Sequence, residues 1–586
     1  MTSSNAGRKR LVLLLLCVIV GLLAGLASVA MHELAARLTH AREALDAEHP
    51  LRSMWLAPLF PAVGILGCVV FAKVFFRRRG YDRSLGTAIR AVRHRVSSKL
   101  PSYHAFTHIL TSGFAVGMGI SAGMEAPSAI TGAAIGSKVG RFFKQPRETA
   151  SLLLCAGAAA GIGAIFQAPL AGALFACEVL LPGVSASMLV PLLISAASGM
   201  AVSLFFSTHG PFPTVEYQWS LHNVWAYLSL GLLCALCSWG MISANTAIGR
   251  LAGRVKNDWL RGLTGCLILG IVLPLFPALS GQGYDFIGSL LLNMPAELPT
   301  GIFPSGAAGN LGQLITMTVL LMLLKPAVSM ISLQSGGDGG MFGPSLTTGA
   351  FLGYAFYLVL NAAGITGVPA INCVAAGMAG VLAGVMHAPL TGLFLIAEIL
   401  HSYTMMLPLM FVVAISAGIS KFITRKNLYM TSLKSKGEDD DDVETLDELE
   451  KLPVREFADT GYSTVRTSDT FQSLLNVMMS THQTIFPVLD RKGLLMGVVD
   501  EGDIRPLIAE TGSHWSQPVE DIMSPPPCAI QETTPIGKVA EMFEQRTEDI
   551  FPLVDVNGKF TAMISRTQIL DNYRHYIYSK LWVDNQ

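Results

Sequence analysis

Long apolar runs fill the first three quarters of the chain and stop abruptly near Leu433. They lie at residues 11–36, 54–76, 104–122, 149–182, 188–208, 223–246, 259–280, 312–333, 346–363, 369–400 and 403–424. The stretches 149–182 and 369–400 each read as two pieces. About 20 apolar helical residues cross a hydrocarbon core about 30 Å thick, so these runs predict a polytopic all-α body over residues 11–433, behind a short N-terminal segment, 1–10. Several runs are short or broken by glycine and proline. Inside a bilayer, such breaks survive only where backbone is buried in protein or lines a wet cavity.

The pattern repeats. Gly123–Gly136 reads GMEAPSAITGAAIG and Gly340–Gly353 reads GMFGPSLTTGAFLG, with eight identities in fourteen positions. Ala168–Glu178, APLAGALFACE, returns as Ala388–Glu398, APLTGLFLIAE, at nearly the same offset. Two matches with one shift divide the body into related halves, about 11–215 and 216–433. An odd number of spans per half makes the halves inverted, and broken helices then meet near the midplane, where such folds hold their ligand.

After Leu433 the periodicity changes. Residues 434–453 carry an acidic run that reads as a solvated linker. Two copies of an α+β pattern follow, over 454–515 and 516–586. Phe486–Asp490, FPVLD, and Phe551–Asp555, FPLVD, are each preceded by a helical pattern and followed by Gly493 or Gly558 and an apolar strand. Strand–helix–strand–strand–helix, written twice, describes a tandem module.

Of the 586 residues 51% are apolar and 14% charged, and the net charge is zero. That balance argues for no particular partner, nucleic acid included. The distribution of charge does orient the chain. Arg8–Arg10, Arg77–Arg79 and the group Lys421, Arg425 and Lys426 flank spans, and the positive-inside bias puts both termini in the cytoplasm, as expected of a plasma or inner membrane protein. The first apolar run is longer than a signal-peptide core, so it is read as a span. Nine cysteines are scattered, mostly in apolar runs; Cys234 and Cys237 form a CxxC without a second pair and read as helix-packing residues.

Glu125 is the sharpest residue for chemistry. It sits in a break flanked by Gly123, Ala126 and Pro127. A carboxylate near the bilayer centre costs about 2.5–3.5 kcal/mol on insertion scales, which marks a functional candidate. Its repeat partner is Phe342, so the shared fold does not require an acid there. The glycine-rich loops Gly117–Gly123 and Ser335–Gly340 each run into a helix whose first N–H groups lack partners. Facing helix N-termini bind anions without a buried Lys or Arg, in keeping with the scarcity of basic residues in the spans. A lone carboxylate there can occupy the anion's place when charged and leave it when protonated. Glu178 and Glu398 match between halves, which favours a shared structural role over a polar route.

GMEAP at Gly123–Pro127 resembles the gating-glutamate motif of the CLC chloride channel and transporter family, and GGMFGP at Gly339–Pro344 resembles its second anion loop. NLYMTSL, with Tyr429, is similar to the helix that brings a tyrosine hydroxyl to the central anion, and APLAGALFACE to the segment beside the pore. The resemblance covers residues 11–433, and the soluble repeat resembles a pair of cystathionine-β-synthase-type (CBS) domains. It implies a homodimer in the lipid bilayer, with one path for chloride or another small anion per subunit and no required cofactor. Glu125 would be the gate. Gly123, Met124, Ala126, Met341, Phe342 and Tyr429 would line the anion site, the Met341 and Phe342 amides and the Tyr429 hydroxyl making contact.

The chain departs from the family in places. The first anion loop is altered; within Gly80–Ala88, GYDRSLGTA, Ser84 is the best candidate for its serine, which puts strict chloride selectivity in doubt. Val179, beside Glu178, stands where exchangers carry an inner proton-transfer glutamate, so channel-like or weakly proton-coupled flux is expected ahead of a proton-coupled antiporter. Tyr429 disfavours fluoride. In the CBS pair an adenine nucleotide would need a Gly-x-x-Ser/Thr-x-x-Asp pattern; Asp503 and Ser565 are partial matches, and dimer contact or gate support is the favoured role. A CBS-bearing divalent-cation transporter would need acidic rings that the body lacks. No nucleophile–base pair or metal-ligand set marks an enzyme; His32, His104, His108 and His387 read as packing or loop residues.

Overall fold

The computed structural model describes residues 2–48, 58–76, 85–93, 100–181, 186–206, 212, 219–295, 310–435, 452–481, 483–509, 515–526, 528–546, 548–569 and 571. Two compact units separate at Glu438 and Asp439. Ser84 lies outside the described residues, as does the whole acidic run.

In the first unit the helices are α1 (Thr2–Glu48), α2 (Leu59–Phe75), α3 (Gly86–Arg93), α4 (His104–Gly117), α5 (Glu125–Phe142), α6 (Arg147–Phe166), α7 (Pro169–Phe175) and α8 (Ala186–Phe206). The second half follows with α9 (Val224–Gly253), α10 (Asp258–Leu275), α11 (Tyr284–Leu291), α12 (Leu311–Gln334), α13 (Phe342–Ala362), α14 (Ala370–Met386), α15 (Pro389–Ile399), α16 (Met406–Ile423) and α17 (Leu428–Ser435). Among the described residues seven helices are long and apolar enough to cross a membrane. The expected run at 11–36 sits within one longer helix, since nothing in Thr2–Arg10 or after residue 36 breaks it. The run 104–122 is cut at Gly117, and the next helix starts at Glu125, the residue expected to act as the gate.

The halves repeat in coordinates as in sequence. Helices α4 to α8 correspond in order to α12 to α16. Gln167 and His387, matched by the repeat, both adopt φ of 54° after α6 and α14. A side chain in left-handed backbone is held there by its surroundings, and both turn the chain into a short helix opened by proline, Pro169 or Pro389. Close packing repeats too. A Cβ on Gly132 would strike the Gly157 backbone, and one on Gly349 would strike that of Gly377. Small residues let membrane helices approach to backbone contact. Gly123 and Gly340 exchange both backbone hydrogen bonds as an antiparallel pair, at 2.9 and 2.8 Å. Equivalent residues bonding reciprocally is what two copies facing across a two-fold axis require.

In the second unit, β1 (Val465–Arg466), β2 (Ile485–Leu489) and β3 (Leu495–Asp500) form one sheet in the order β1-β2-β3. Strands β4 (Ile530–Gln531), β5 (Ile550–Val554) and β6 (Phe560–Ser565) form another in the order β4-β5-β6. Each pairs its first two strands parallel and its last two antiparallel. Helices α18 (Phe471–Ser480) and α20 (Ile536–Gln545) cross over to form the parallel pairs, while α19 (Glu501–Ala509) follows β3. The repeats interleave: Val454 and Phe457 pack in the core of the second sheet, and Val519 in that of the first.

Candidate functional site

Helices α5 and α13 start side by side at the Gly123–Gly340 pair. The residues before them, Met124 and Met341, share nearly one conformation, with φ of −96° and −90° and ψ near zero, and neither helix has a side-chain cap. The first N–H groups of both helices are therefore open to a ligand. Glu125 is fully buried. Its Oε2 accepts the Gly343 N–H of α13 at 3.2 Å, and its Oε1 accepts the Tyr284 hydroxyl. A carboxylate of one half thus rests on the helix N-terminus of the other. Glycine at 123 is required by this approach, because a Cβ there would meet the Glu125 carboxylate and lie 2.9 Å from the Gly343 nitrogen.

Apolar groups close the surroundings. Met124, Ala126, Met341 and Phe342 are all buried. The Phe342 ring lies 5.6 Å from Phe166 and 6.1 Å from Phe175, and Tyr284 lies 6.1 Å from Phe166 and 5.6 Å from Phe212. Tyr429, on α17, is buried with its hydroxyl unbonded among the described groups, and the Glu125 charge is within electrostatic reach.

The paired glutamates behave differently. Glu178 accepts the Leu390 and Thr391 N–H groups at 2.9 and 2.7 Å and the Thr391 hydroxyl at 2.7 Å, capping α15. Glu398 accepts the Leu170 and Ala171 N–H groups at 3.1 and 2.7 Å, capping α7. Each carboxylate closes the short helix of the opposite half. Val179, beside Glu178, is buried and apolar.

Three features were not anticipated. Tyr284 could have been flagged by the run Ser280–Gly283, SGQG, a third glycine-bearing loop that enters a helix. Lys325 is an exception to the scarcity of basic residues in the spans: it is fully buried in α12, and its Nζ donates to the Leu279 and Gly281 carbonyls at 3.0 and 2.8 Å. Those two carbonyls supply the hydrogen bonds that make the burial tolerable. A buried chain links His104 to His108 at 3.1 Å and His108 to Asp338 of the second loop at 2.9 Å, with the Thr111 hydroxyl also on Asp338. Among the described residues no His, Cys, Asp and Glu group could hold a metal ion.

In the second unit, Asp503 accepts a long bond from the Ser524 hydroxyl, 3.4 Å. Ser565 and Gln568 bond each other through N–H to Oε1, 2.9 Å, and N–H to Oγ, 3.1 Å. The Asp555 carboxyl is held below its ordinary range, chiefly by the backbone N–H of Lys559.

Broken helices meeting at a buried carboxylate, inside a body of apolar spans, define an integral membrane protein with a polar centre. The family described as voltage gated chloride channel matches residues 68–421, more than half of the chain, and the CBS domain matches residues 519–575. The chain belongs to that family of chloride channels and transporters, the CLC family, and carries a CBS region. It is 29% identical to the H(+)/Cl(-) exchange transporter ClcA of Cronobacter sakazakii, over 72% of this chain and 89% of that protein. It is 28% identical to the chloride channel protein CLC-e of Arabidopsis thaliana, over 78% of this chain and 70% of that one. The fold is shared with a slow cyanobacterial Cl-/H+ antiporter at a TM-score of 0.62 and 21% identity, covering 73% of this chain and 99% of that one.

Proposed function

We propose that this protein moves chloride, or another small anion, through a path in each subunit of a homodimer, and that Glu125 gates the path. One observation carries the reading: the Glu125 carboxylate accepts an open N–H of α13, the contact that an anion would make. The charged side chain then stands in the anion's place, and protonation releases it. Gly123, Met124, Ala126, Met341 and Phe342 supply the apolar and backbone wall of the outer part, Tyr429 the inner hydroxyl, and Ser84 the altered first loop. Both termini face the cytoplasm in a plasma or inner membrane. The CBS region supports dimer contact and the gate; adenine nucleotide leaves the flux unchanged in this reading, and a nucleotide-dependent flux would reverse it.

Proton-coupled chloride exchange is the second reading. It is favoured by relatives that carry the name H(+)/Cl(-) exchange transporter. Against it stands Val179, which cannot carry a proton. Liposomes with an imposed chloride gradient separate the two. Uphill proton movement that follows chloride marks an exchanger; chloride flux that leaves the proton gradient untouched marks a channel.

A further inference from the structure

The bond from Tyr284 to Glu125 raises the question of what holds the tyrosine. Its ring packs against Phe166 and Phe212 as a phenylalanine would, so the hydroxyl is the part that packing does not explain. The preceding turn contains Gly281 and Gly283 in left-handed backbone, φ 60° and 90°. Every residue from Leu279 to Gln282 is tied to a neighbouring element. The Leu279 and Gly281 carbonyls accept Lys325 Nζ from α12. The Ser280 hydroxyl donates to the Gly119 carbonyl in the loop Gly117–Gly123 at 3.0 Å. The Gln282 carbonyl accepts the Thr347 hydroxyl of α13 at 2.9 Å. Lys325 is the costly member, because an amine inside a membrane body persists only where it meets partners. Its bonds are spent on the turn that aims Tyr284.

We propose that Tyr284 is a latch that holds the Glu125 side chain in its anion-like position, and that Lys325 is the positioning residue for that latch. The inference rests on the reading of Glu125 as the gate. A hydroxyl donating to a carboxylate stabilises it more than it stabilises the neutral acid. Around Glu125 the described titratable groups are Tyr284, in contact, and Tyr429, within electrostatic reach; no described Lys, Arg or His is bonded to it. Lys325 faces carbonyl oxygens and no carboxylate among the described residues. The latch therefore opposes opening while Glu125 is charged and adds little once it is protonated.

The test is chloride efflux from liposomes at pH 7.5 and pH 4.5, with each variant in the full chain. Tyr284→Phe keeps the ring and removes the donor, and should raise flux at pH 7.5 about tenfold or more, the scale of one hydrogen bond to a charged group. At pH 4.5 it should stay within about twofold of wild type on the same scale. Lys325→Met should raise flux at pH 7.5 in the same way, with no further rise in the double variant, while Lys325→Gln, which keeps an N–H donor, restores the wild-type ratio between the two pH values. If Lys325→Met does not fold, Tyr284→Phe and Lys325→Gln decide the matter. Wild-type flux in Tyr284→Phe at both pH values overturns the latch. A Lys325→Met effect that multiplies with that of Tyr284→Phe overturns the positioning role. Glu125→Gln in parallel separates the failures: a Glu125→Gln variant without pH response beside a silent Tyr284→Phe sinks the latch alone, and a Glu125→Gln variant with wild-type pH response sinks the gate.

Discussion

Two pairs of matched positions in the membrane body tell opposite stories. Glu178 and Glu398 are the same residue in both halves and do the same thing, each capping the short helix of the other half. Glu125 and Phe342 open corresponding helices at the Gly123–Gly340 pair, yet one is an acid and the other a phenyl ring. Duplication supplies a common backbone, with glycine loops, broken helices and open N–H groups in two copies. Whatever both copies retain is what the backbone needs. A costly group that only one copy carries is what the backbone does not need, and that is where transport chemistry is to be sought.

The largest expected effect breaks the asymmetric pair. Glu125→Gln removes any charge from the group that meets the α13 N-terminus while keeping its size, so on the proposed reading it mimics the protonated gate. Chloride efflux should become nearly independent of pH, its ratio between pH 4.5 and 7.5 falling to about two or less, where the wild type varies about tenfold or more on the scale of one or two charged hydrogen bonds. A variant with the wild-type profile would remove Glu125 from the gate.

Breaking the symmetric pair should read out as stability. Glu178→Gln and Glu398→Gln each turn an amide N–H toward backbone donors and lose charge-assisted bonds, a cost of about 2–3 kcal/mol apiece. Thermal unfolding in detergent should show two similar drops, with the pH profile of flux unchanged in both. Unequal drops, or a proton-coupling defect in Glu178→Gln alone, would move Glu178 from scaffold to proton route.

Smaller still is the effect expected at Tyr429. A buried hydroxyl with no partner among the described residues contributes nothing to folding and costs about 1–3 kcal/mol while it stays unbonded. Tyr429→Phe should unfold no earlier than wild type, whereas chloride flux and the chloride-to-nitrate ratio shift about two- to threefold, less than one full hydrogen bond. Unaltered flux and selectivity in this variant, which keeps the ring, would leave Tyr429 a packing residue.

What the sequence revealed follows the same division. The spans were legible because a bilayer demands long apolar runs, and the repeat because two copies of one backbone retain their glycines and prolines. The place of Glu125 was legible for a sharper reason: its partner is Phe342, and an unmatched acid in an apolar setting has few bland explanations. The SGQG run could flag the place of Tyr284 but not its role, which depends on a partner 159 positions away, and tyrosine is common at membrane interfaces. Lys325 disappeared into a long apolar run, and only the carbonyls of a distant turn explain it. The His108–Asp338 pair hid likewise, 230 positions apart. Local pattern reports elements; polar contacts between distant elements leave no periodic trace.

The CBS repeats offer the mildest version of the comparison. Asp490 Oδ1 accepts the Lys492 and Leu494 N–H groups at 2.7 and 2.8 Å, and Asp555 Oδ1 accepts the Asn557 and Lys559 N–H groups, both at 2.8 Å. Both turns continue into glycine with positive φ, Gly493 at 82° and Gly558 at 80°. By the rule drawn from the membrane halves, a feature kept in both copies is scaffold, so Asp555→Asn should leave anion flux untouched. Its effect should be local. Because the folded Asp555 carboxyl titrates below its ordinary range, its stabilising contribution is complete above that range and is lost as pH falls through the lowered value. Hydrogen exchange at the Asn557 and Lys559 amides, taken relative to unstructured rates, should rise on acidification in the wild type. In Asp555→Asn it should already be raised at neutral pH and stay nearly flat. A flux defect in this variant would instead give the turn a part in transport.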